Sequence, residues 1–313
     1  MYTYLFGPVP SRRLNMSLGV DLVPHKICSL NCVYCECGPT TGLTLTRKEY
    51  VPYNTVVKEL EHYLANHPAP DYVTFSGSGE PTLHTRIGDI IRRLKDIDES
   101  IPVAVLTNGT LLYFPEVRKE LQAADLVLPS LDAVSEEVFR VLNRPCPQLA
   151  VQQHIEGLIA FRKEYTGTMW LEVMILPGYN DSVEELNLLE EACRRINPER
   201  IQLNTLDRPG AVEGLESVSF HTLQSIAASW DMDNVEVIAA SVERTELTSY
   251  RKDTESAIMG TLRRRPCTAA DLAAILGMHV NQINKYLSVL ESKNIICSLK
   301  RERGVFYQLE KSN

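Results

Sequence analysis

Apolar and β-branched residues fall along the chain in short runs, each followed by a longer stretch in which apolar positions return every three or four residues. The runs are SLGVDLV (17–23), YVTFS (72–76), VAVLTN (103–108), LVLPSLD (126–132), WLEVMIL (170–176) and RIQLNTL (200–206), and the amphipathic stretches include 53–65, 86–97, 135–142, 151–165 and 182–196. Six strands alternating with helices predict a parallel α/β sheet. Most runs are apolar throughout rather than alternating, as expected of strands covered on both faces. Asp181-Ser182 followed by Glu184-Glu185 gives the helix at 182–196 a cap and an acidic first turn. Polar and glycine-rich residues gather just after the strands' C-terminal ends, the edge where α/β sheets and barrels place their active sites.

The pattern changes after residue 240. A polar stretch, SVERTELTSYRKD (241–253), reads as a linker between a unit at 1–240 and a second at 254–313. The second unit predicts a helix at 255–264, a break at Pro266, a helix at 269–276 capped by Thr268, a turn at Gly277, a helix at 280–293 and a hairpin over 295–309 with Gly304 in its turn. This order resembles a winged helix-turn-helix domain. Such a domain would present Asn281, Gln282, Asn284 and Lys285 to a DNA groove and Lys300, Arg301 and Arg303 to phosphates, although these modules also serve as protein-docking units.

Composition sets the class. With 313 residues, 44% of them hydrophobic and 23% charged, the chain has the material for a large core. The N-terminus MYTYLFGPVPSRRLN has no signal-peptide character and no stretch nears the roughly 20 apolar residues that span a bilayer, so a cytoplasmic protein with no membrane partner is expected. The net charge of −8 hides an asymmetry, because 254–313 holds nine Lys/Arg against five Asp/Glu. That surplus suggests a nucleic acid such as tRNA as a partner of the tail, or merely a solvated surface.

Four of the eight cysteines crowd into residues 28–37 while the others are scattered, which suits a thiolate-bound metal better than a disulfide framework. Cys28, Cys32 and Cys35 form CxxxCxxC in a loop directly after the first run. Three thiolates on a four-iron cube leave one iron open to chelate a small molecule. A zinc knuckle would want a second ligand pair, which is missing, and a closed four-thiolate site completed by Cys37 is the alternative. Together with Tyr34 before the last cysteine, this loop resembles the signature of the radical S-adenosylmethionine superfamily. The resemblance implies a partial (β/α)6 TIM-like barrel, a 4Fe-4S cluster and S-adenosylmethionine as cofactors, reductive cleavage of the latter to a 5′-deoxyadenosyl radical that abstracts hydrogen, and an electron donor such as flavodoxin or ferredoxin. Tyr34 would then lie near the adenine. Phe75-Ser76-Gly77-Ser78-Gly79-Glu80-Pro81 resembles the family's GGEP segment, which implies that Ser76, Gly77, Ser78, Gly79 and Glu80 line the methionine ammonium. Thr107-Asn108-Gly109, Ser130-Leu131-Asp132-Ala133 and Asn143-Arg144 resemble further motifs in the same order, which would bring Asn108, Ser130 and Arg144 to the cosubstrate. Leu176, opening Leu176-Pro177-Gly178-Tyr179-Asn180-Asp181, resembles the loop beside the adenine.

The opening FGPVPSRR and the later QLNTLDRP are similar to an oxidoreductase group related to the wyosine-synthesis enzymes of tRNA, yet the extra upstream cysteines of those enzymes are missing from the first 27 residues. The substrate stays open between an RNA base and a protein, peptide or small molecule, with a cluster-bearing DNA-binding regulator as a third reading. No catalytic side chain is singled out, although Arg12, Arg13, Asp21, Lys26, Asn204, Asp207 and Arg208 are candidates for the substrate side. Every cofactor motif precedes residue 182, so the second unit is expected to be dispensable for cosubstrate cleavage.

Overall fold

The structure, a computed structural model, describes residues 2–11, 13–238, 254–278 and 280–310. Arg12 and the expected linker at 241–253 lie outside the described residues. The predicted runs all form strands. They are β2 (Asn15–Val20), β5 (Tyr72–Phe75), β6 (Val103–Thr107), β7 (Leu126–Pro129), β8 (Thr168–Met174) and β9 (Arg200–Asn204), and with β1 (Leu5–Ser11) and β10 (Val235–Val237) they make one eight-stranded sheet ordered β1-β2-β5-β6-β7-β8-β9-β10. All neighbours pair in parallel except β1 and β2, which form an antiparallel hairpin. Two short strands, β3 (Ile27–Cys28) and β4 (Gly42–Leu43), pair with each other and bracket the cysteine loop. The sheet is an open α/β barrel with β1 and β10 at its edges.

Helices α1 (Tyr53–Asn66), α2 (Ile87–Ile97), α3 (Pro115–Glu120), α4 (Glu136–Val138), α5 (Val151–Glu164), α6 (Val183–Ile196) and α7 (Phe220–Ser229) follow the strands in turn. One face of each strand joins the helices in the main core, as with Met169, Leu171 and Val173 of β8. The other face looks inward. At the base of the barrel Leu14, from the β1–β2 turn, packs with Ala104, Leu106, Leu126, Leu128 and Trp170. Just above them Arg13 reaches across to β8 and grips Glu172 with two hydrogen bonds of 2.5 and 2.9 Å, while Asn204 of β9 donates to the same carboxylate at 2.9 Å. The base is thereby filled, and the working end is the opposite rim, where the strands end.

Residues 254–310 build α8 (Thr254–Leu262), β11 (Cys267–Thr268), α9 (Ala269–Leu276), α10 (Val280–Ser292), β12 (Ile296–Arg301) and β13 (Gly304–Leu309), with the small sheet ordered β11-β13-β12. Ile258, Leu262, Leu272, Ile275, Ile283, Leu287, Leu290 and Ile296 form a core separate from the barrel's. Thr268 caps α9, accepting from Asp271 N–H at 3.1 Å, and Gly277 ends it in the left-handed conformation, as the sequence predicts.

Candidate active site

The cysteine loop lies on the barrel rim, fastened at both ends. Asn31 and Val33 donate backbone hydrogen bonds to Asn143 and Leu142, and Val212 N–H donates to Val33 from the loop after β9. Each of the three thiols has its own nitrogen donor. Asn108 Nδ2 lies 3.4 Å from Cys28 Sγ, Asn143 Nδ2 lies 3.5 Å from Cys32 Sγ, and Lys26 Nζ lies 2.7 Å from Cys35 Sγ. Burial, helped by the charge of Glu80, pushes the Cys28 thiol up to about 12, and burial and then Asp132 raise Cys32 further. A hydrogen bond from Cys37, and then the Lys26 ammonium, bring Cys35 down to about 5 against the opposing effect of burial. The Cys37 thiol lies between Cys35 and the Gly77 carbonyl, 3.5 Å from the latter, so its single proton serves one or the other.

Among the described residues no three His, Cys, Asp or Glu side chains converge to hold a single metal ion. A cubane does not ask for that, since each thiolate binds a different iron. Three thiols of one loop, each with an N–H donor to stabilise sulfur charge, fit a 4Fe-4S cluster ligated by Cys28, Cys32 and Cys35. Beside them Asn143 Oδ1 is buried without a hydrogen-bond partner among the described residues, an acceptor suited to an ammonium or hydroxyl donor.

The glycine-rich loop after β5 packs directly on this site. A Cβ on Gly79 would stand 2.1 Å from the Ile27 carbonyl, and Gly77 has φ +123°, which few other residues adopt. Ser76 and Ser78 belong to the same loop, and Ser78 donates its amide to Asp21 Oδ1 at 3.0 Å. Glu80 has a role that the sequence did not suggest. Its carboxylate is buried and accepts from Thr82 N–H at 3.0 Å, Thr82 Oγ1 at 2.6 Å, Thr107 Oγ1 at 2.6 Å and Asn108 N–H at 2.8 Å. Four donors fill a carboxylate, so Glu80 ties this loop to the end of β6, and main-chain carbonyls are the acceptors left for an ammonium there.

Tyr34 donates to Asp132, which also accepts from Asn143 Nδ2 at 2.9 Å and Met174 N–H at 2.9 Å. Burial lifts the Asp132 carboxyl to about 6, against the opposing hydrogen bond from Tyr34. This triad of Tyr34, Asp132 and Asn143 links the cysteine loop to β8. Asp132 and Asn143 sit inside motifs recognised in the sequence, yet nothing in spacing alone says that they meet. Ser130 stands at the end of β7 and bridges to Glu172 of β8. The Leu176 amide is committed to Asn180 Oδ1 at 2.8 Å, and its side chain packs with Val33, Leu142 and Leu215 around Tyr34. Arg144 has an exposed side chain and a left-handed backbone, φ 46°.

Several expected substrate-side residues are placed otherwise. Arg13 and Asn204 belong to the base layer with Glu172, Lys26 serves the Cys35 thiol, and Asp21, Asp207 and Arg208 pair with residues of the C-terminal unit. Arg303 is a second correction. It does not point outward toward phosphates but pairs with Asp207 at 3.2 Å and Asp271 at 2.8 Å.

Residues 22–189 match the family described as the Radical SAM superfamily. A UPF0026 protein of Methanocaldococcus jannaschii is 36% identical over 228 residues, which is 72% of this chain and 70% of the relative. A Brachyspira hyodysenteriae protein named GTPase Obg is 36% identical over 287 residues, 91% of this chain, and the chain spans only 42% of that relative's length. Among solved structures, TYW1 with a lysine-pyruvate adduct bound superposes with a TM-score of 0.52 at 16% identity, covering 70% of this chain and 74% of TYW1. Streptococcus suis SuiB bound to precursor peptide SuiA gives 0.53 at 15% identity, with 70% and 48% covered. At such identities these two likenesses speak for the barrel fold alone. The family match over more than half of the chain, on a rim where three thiols and a glycine-rich loop meet, establishes that this chain belongs to the radical SAM superfamily and is an enzyme of the kind that binds a 4Fe-4S cluster and S-adenosylmethionine.

Proposed function

We propose that this enzyme cleaves S-adenosylmethionine reductively at a cluster held by Cys28, Cys32 and Cys35, and that the substrate is an RNA base. The observation that carries the first part is the loop of three thiols with three separate nitrogen donors beside the orphaned Asn143 Oδ1. When bound, the cluster supplies one electron, from a donor such as flavodoxin or ferredoxin, and the cosubstrate supplies the hydrogen-abstracting radical. Around them the chain's own residues orient and shield. Tyr34 and Asp132 brace the cysteine loop, Glu80 fixes the glycine-rich loop, and the filled base excludes water from below. Anaerobic reconstitution should give about four irons and four sulfides per chain and, with dithionite, 5′-deoxyadenosine. The triple Ala variant of Cys28, Cys32 and Cys35 should give neither. Cys37→Ala should keep the cluster, and its loss would favour a closed four-thiolate site.

Support for the RNA substrate comes from the second unit, read as a winged helix at 254–313 beyond a linker at 241–253. Asn281, Gln282, Asn284, Lys285 and Lys300 are exposed there, the polar and cationic mixture that meets a nucleic acid. A second reading, a protein, peptide or small-molecule substrate, is favoured by Arg303, which is spent on the barrel instead of on phosphates. No helix among the described residues is long and apolar enough to cross a membrane, and reduced cysteines fit the cytoplasm as the enzyme's compartment.

A further inference from the structure

The second unit docks on the catalytic rim, and its charged contacts fall on Asp21 after β2 and on Asp207 and Arg208 after β9, of which Asp21 and Arg208 each hold a loop that carries a cofactor motif. Arg264, in the turn after α8, reaches Asp21 at the end of β2 with Nη2 and Nε at 2.7 and 3.1 Å from Oδ2, and its guanidinium lies over the Phe6 ring, 4.5 Å from the centroid. The other oxygen of Asp21 holds the Ser78 amide at 3.0 Å and sits so close to Gly77 that a Cβ there would stand 1.6 Å away. One carboxylate therefore joins the second unit to the 76–80 loop. A second chain of charge reaches the cysteine loop. Arg208 lies 3.3 Å from Glu36, the residue between Cys35 and Cys37, and 3.8 Å from Asp271 at the start of α9, while Arg303 bridges Asp271 and Asp207. The side chains of Asp207, Arg208 and Asp271 are only 10 to 12% exposed, so salt screens them little. Burial alone would raise the Asp271 carboxyl, but Arg208, the Thr268 amide and Arg303 hold it below its ordinary value, as befits an ionised link.

We propose that the second unit is part of the catalytic rim, with Arg264 and Arg303 as positioning residues. Arg264 acts through Asp21 on the 76–80 loop, and Arg303 with Asp271 acts through Arg208 and Glu36 on the cysteine loop, so cosubstrate affinity depends on the docked unit. This rests on reading the two loops as cosubstrate and cluster loops. By linkage, cosubstrate binding tightens the docking by the same factor.

The test uses the full chain carrying Arg264→Gln, Arg264→Lys or Arg303→Gln, with Lys293→Ala, exposed near the end of α10, as control. Amide hydrogen exchange on the metal-free protein reads the loops directly. Exchange at 77–79 should rise about tenfold in Arg264→Gln, at 35–38 by a similar factor in Arg303→Gln, and at neither in the control. In reconstituted protein the iron content should be unchanged, while the S-adenosylmethionine Kd, read from the EPR change of the reduced cluster, rises about tenfold in both Gln variants and less in Arg264→Lys, which keeps the charge but not the fork. Loop exchange and Kd within about twofold of wild type in both Gln variants would overturn the proposal. A wild type that assembles no cluster would instead defeat the cluster reading, and the exchange data would still decide the docking.

Discussion

At the scale of single residues, the side chains that run the site are those whose partners come from elsewhere in the chain. CxxxCxxC and the glycine-rich segment were legible because ligand spacing and close backbone approach are local properties. That Asn108, Asn143 and Lys26 each serve one thiol was not, since the first two lie 80 and 111 residues from the sulfur they approach. His154 illustrates the same limit. It lies within α5, buried beside Phe139 with ring centroids 6.0 Å apart, and burial lowers it to about 4 from an ordinary 6.5. The unfolded chain therefore binds its proton more readily than the folded one, and the stability this confers is complete above pH 6.5 and lost as pH falls toward 4. Between pH 7.5 and 5 wild type should lose about 2 kcal/mol more than His154→Gln in urea titrations at each pH. Parallel curves for the two proteins would show that another group carries the acid sensitivity.

Among elements, the six predicted strands were legible because both their faces are covered and most of the runs are apolar throughout, β8 and β9 alternating instead with Glu172, Gln202 and Asn204. β1 was not, because LFGPVPS holds two prolines and a glycine, tolerated only since the strand lies at the sheet edge and pairs with β2 alone. α3, six residues long, and β10, three residues long, are too short to show a period. The β1–β2 turn carries the consequence at this scale, since Arg13 and Glu172 are 11 and 19% exposed and join the hairpin to β8 across the barrel. Glu172→Ala should cost about 3 kcal/mol, because it leaves a largely buried guanidinium and the Asn204 amide without their acceptor. Replacing both Arg13 and Glu172 by Leu should cost less than that single change in the same denaturation experiment. A double variant that is worse would place the cost in packing rather than in the stranded charge.

Considered whole, the molecule departs from the sequence reading chiefly in how its two units relate. The order of helices and hairpin in the second unit was readable from caps and glycines. Its dispensability was inferred from motif positions alone, and the contacts of Arg264 and Arg303 with Asp21 and Asp207 argue against it. The charge surplus of that unit is likewise smaller in effect than its count, since these two arginines face carboxylates of the barrel. Any tRNA binding then rests on the exposed Lys285 and Lys300 and their neighbours. We expect a shallow salt dependence, with a log–log slope of magnitude about 2 to 4 for a handful of phosphate contacts, and weaker binding in Lys285→Ala with Lys300→Ala. Filter binding of tRNA across a salt series would measure it, and undetectable binding at low salt would move the assignment to a protein, peptide or small-molecule substrate.

The packed base under Leu14 and Trp170 shuts one end of the barrel to traffic. Under the proposed reaction, cosubstrate, substrate and their products would share the routes that remain, the rim and the flank between β1 and β10. Where both reactants use the rim, a compulsory order is expected, in which the molecule lying deepest enters first and leaves last. Product inhibition should therefore be competitive for one reactant and non-competitive for the other.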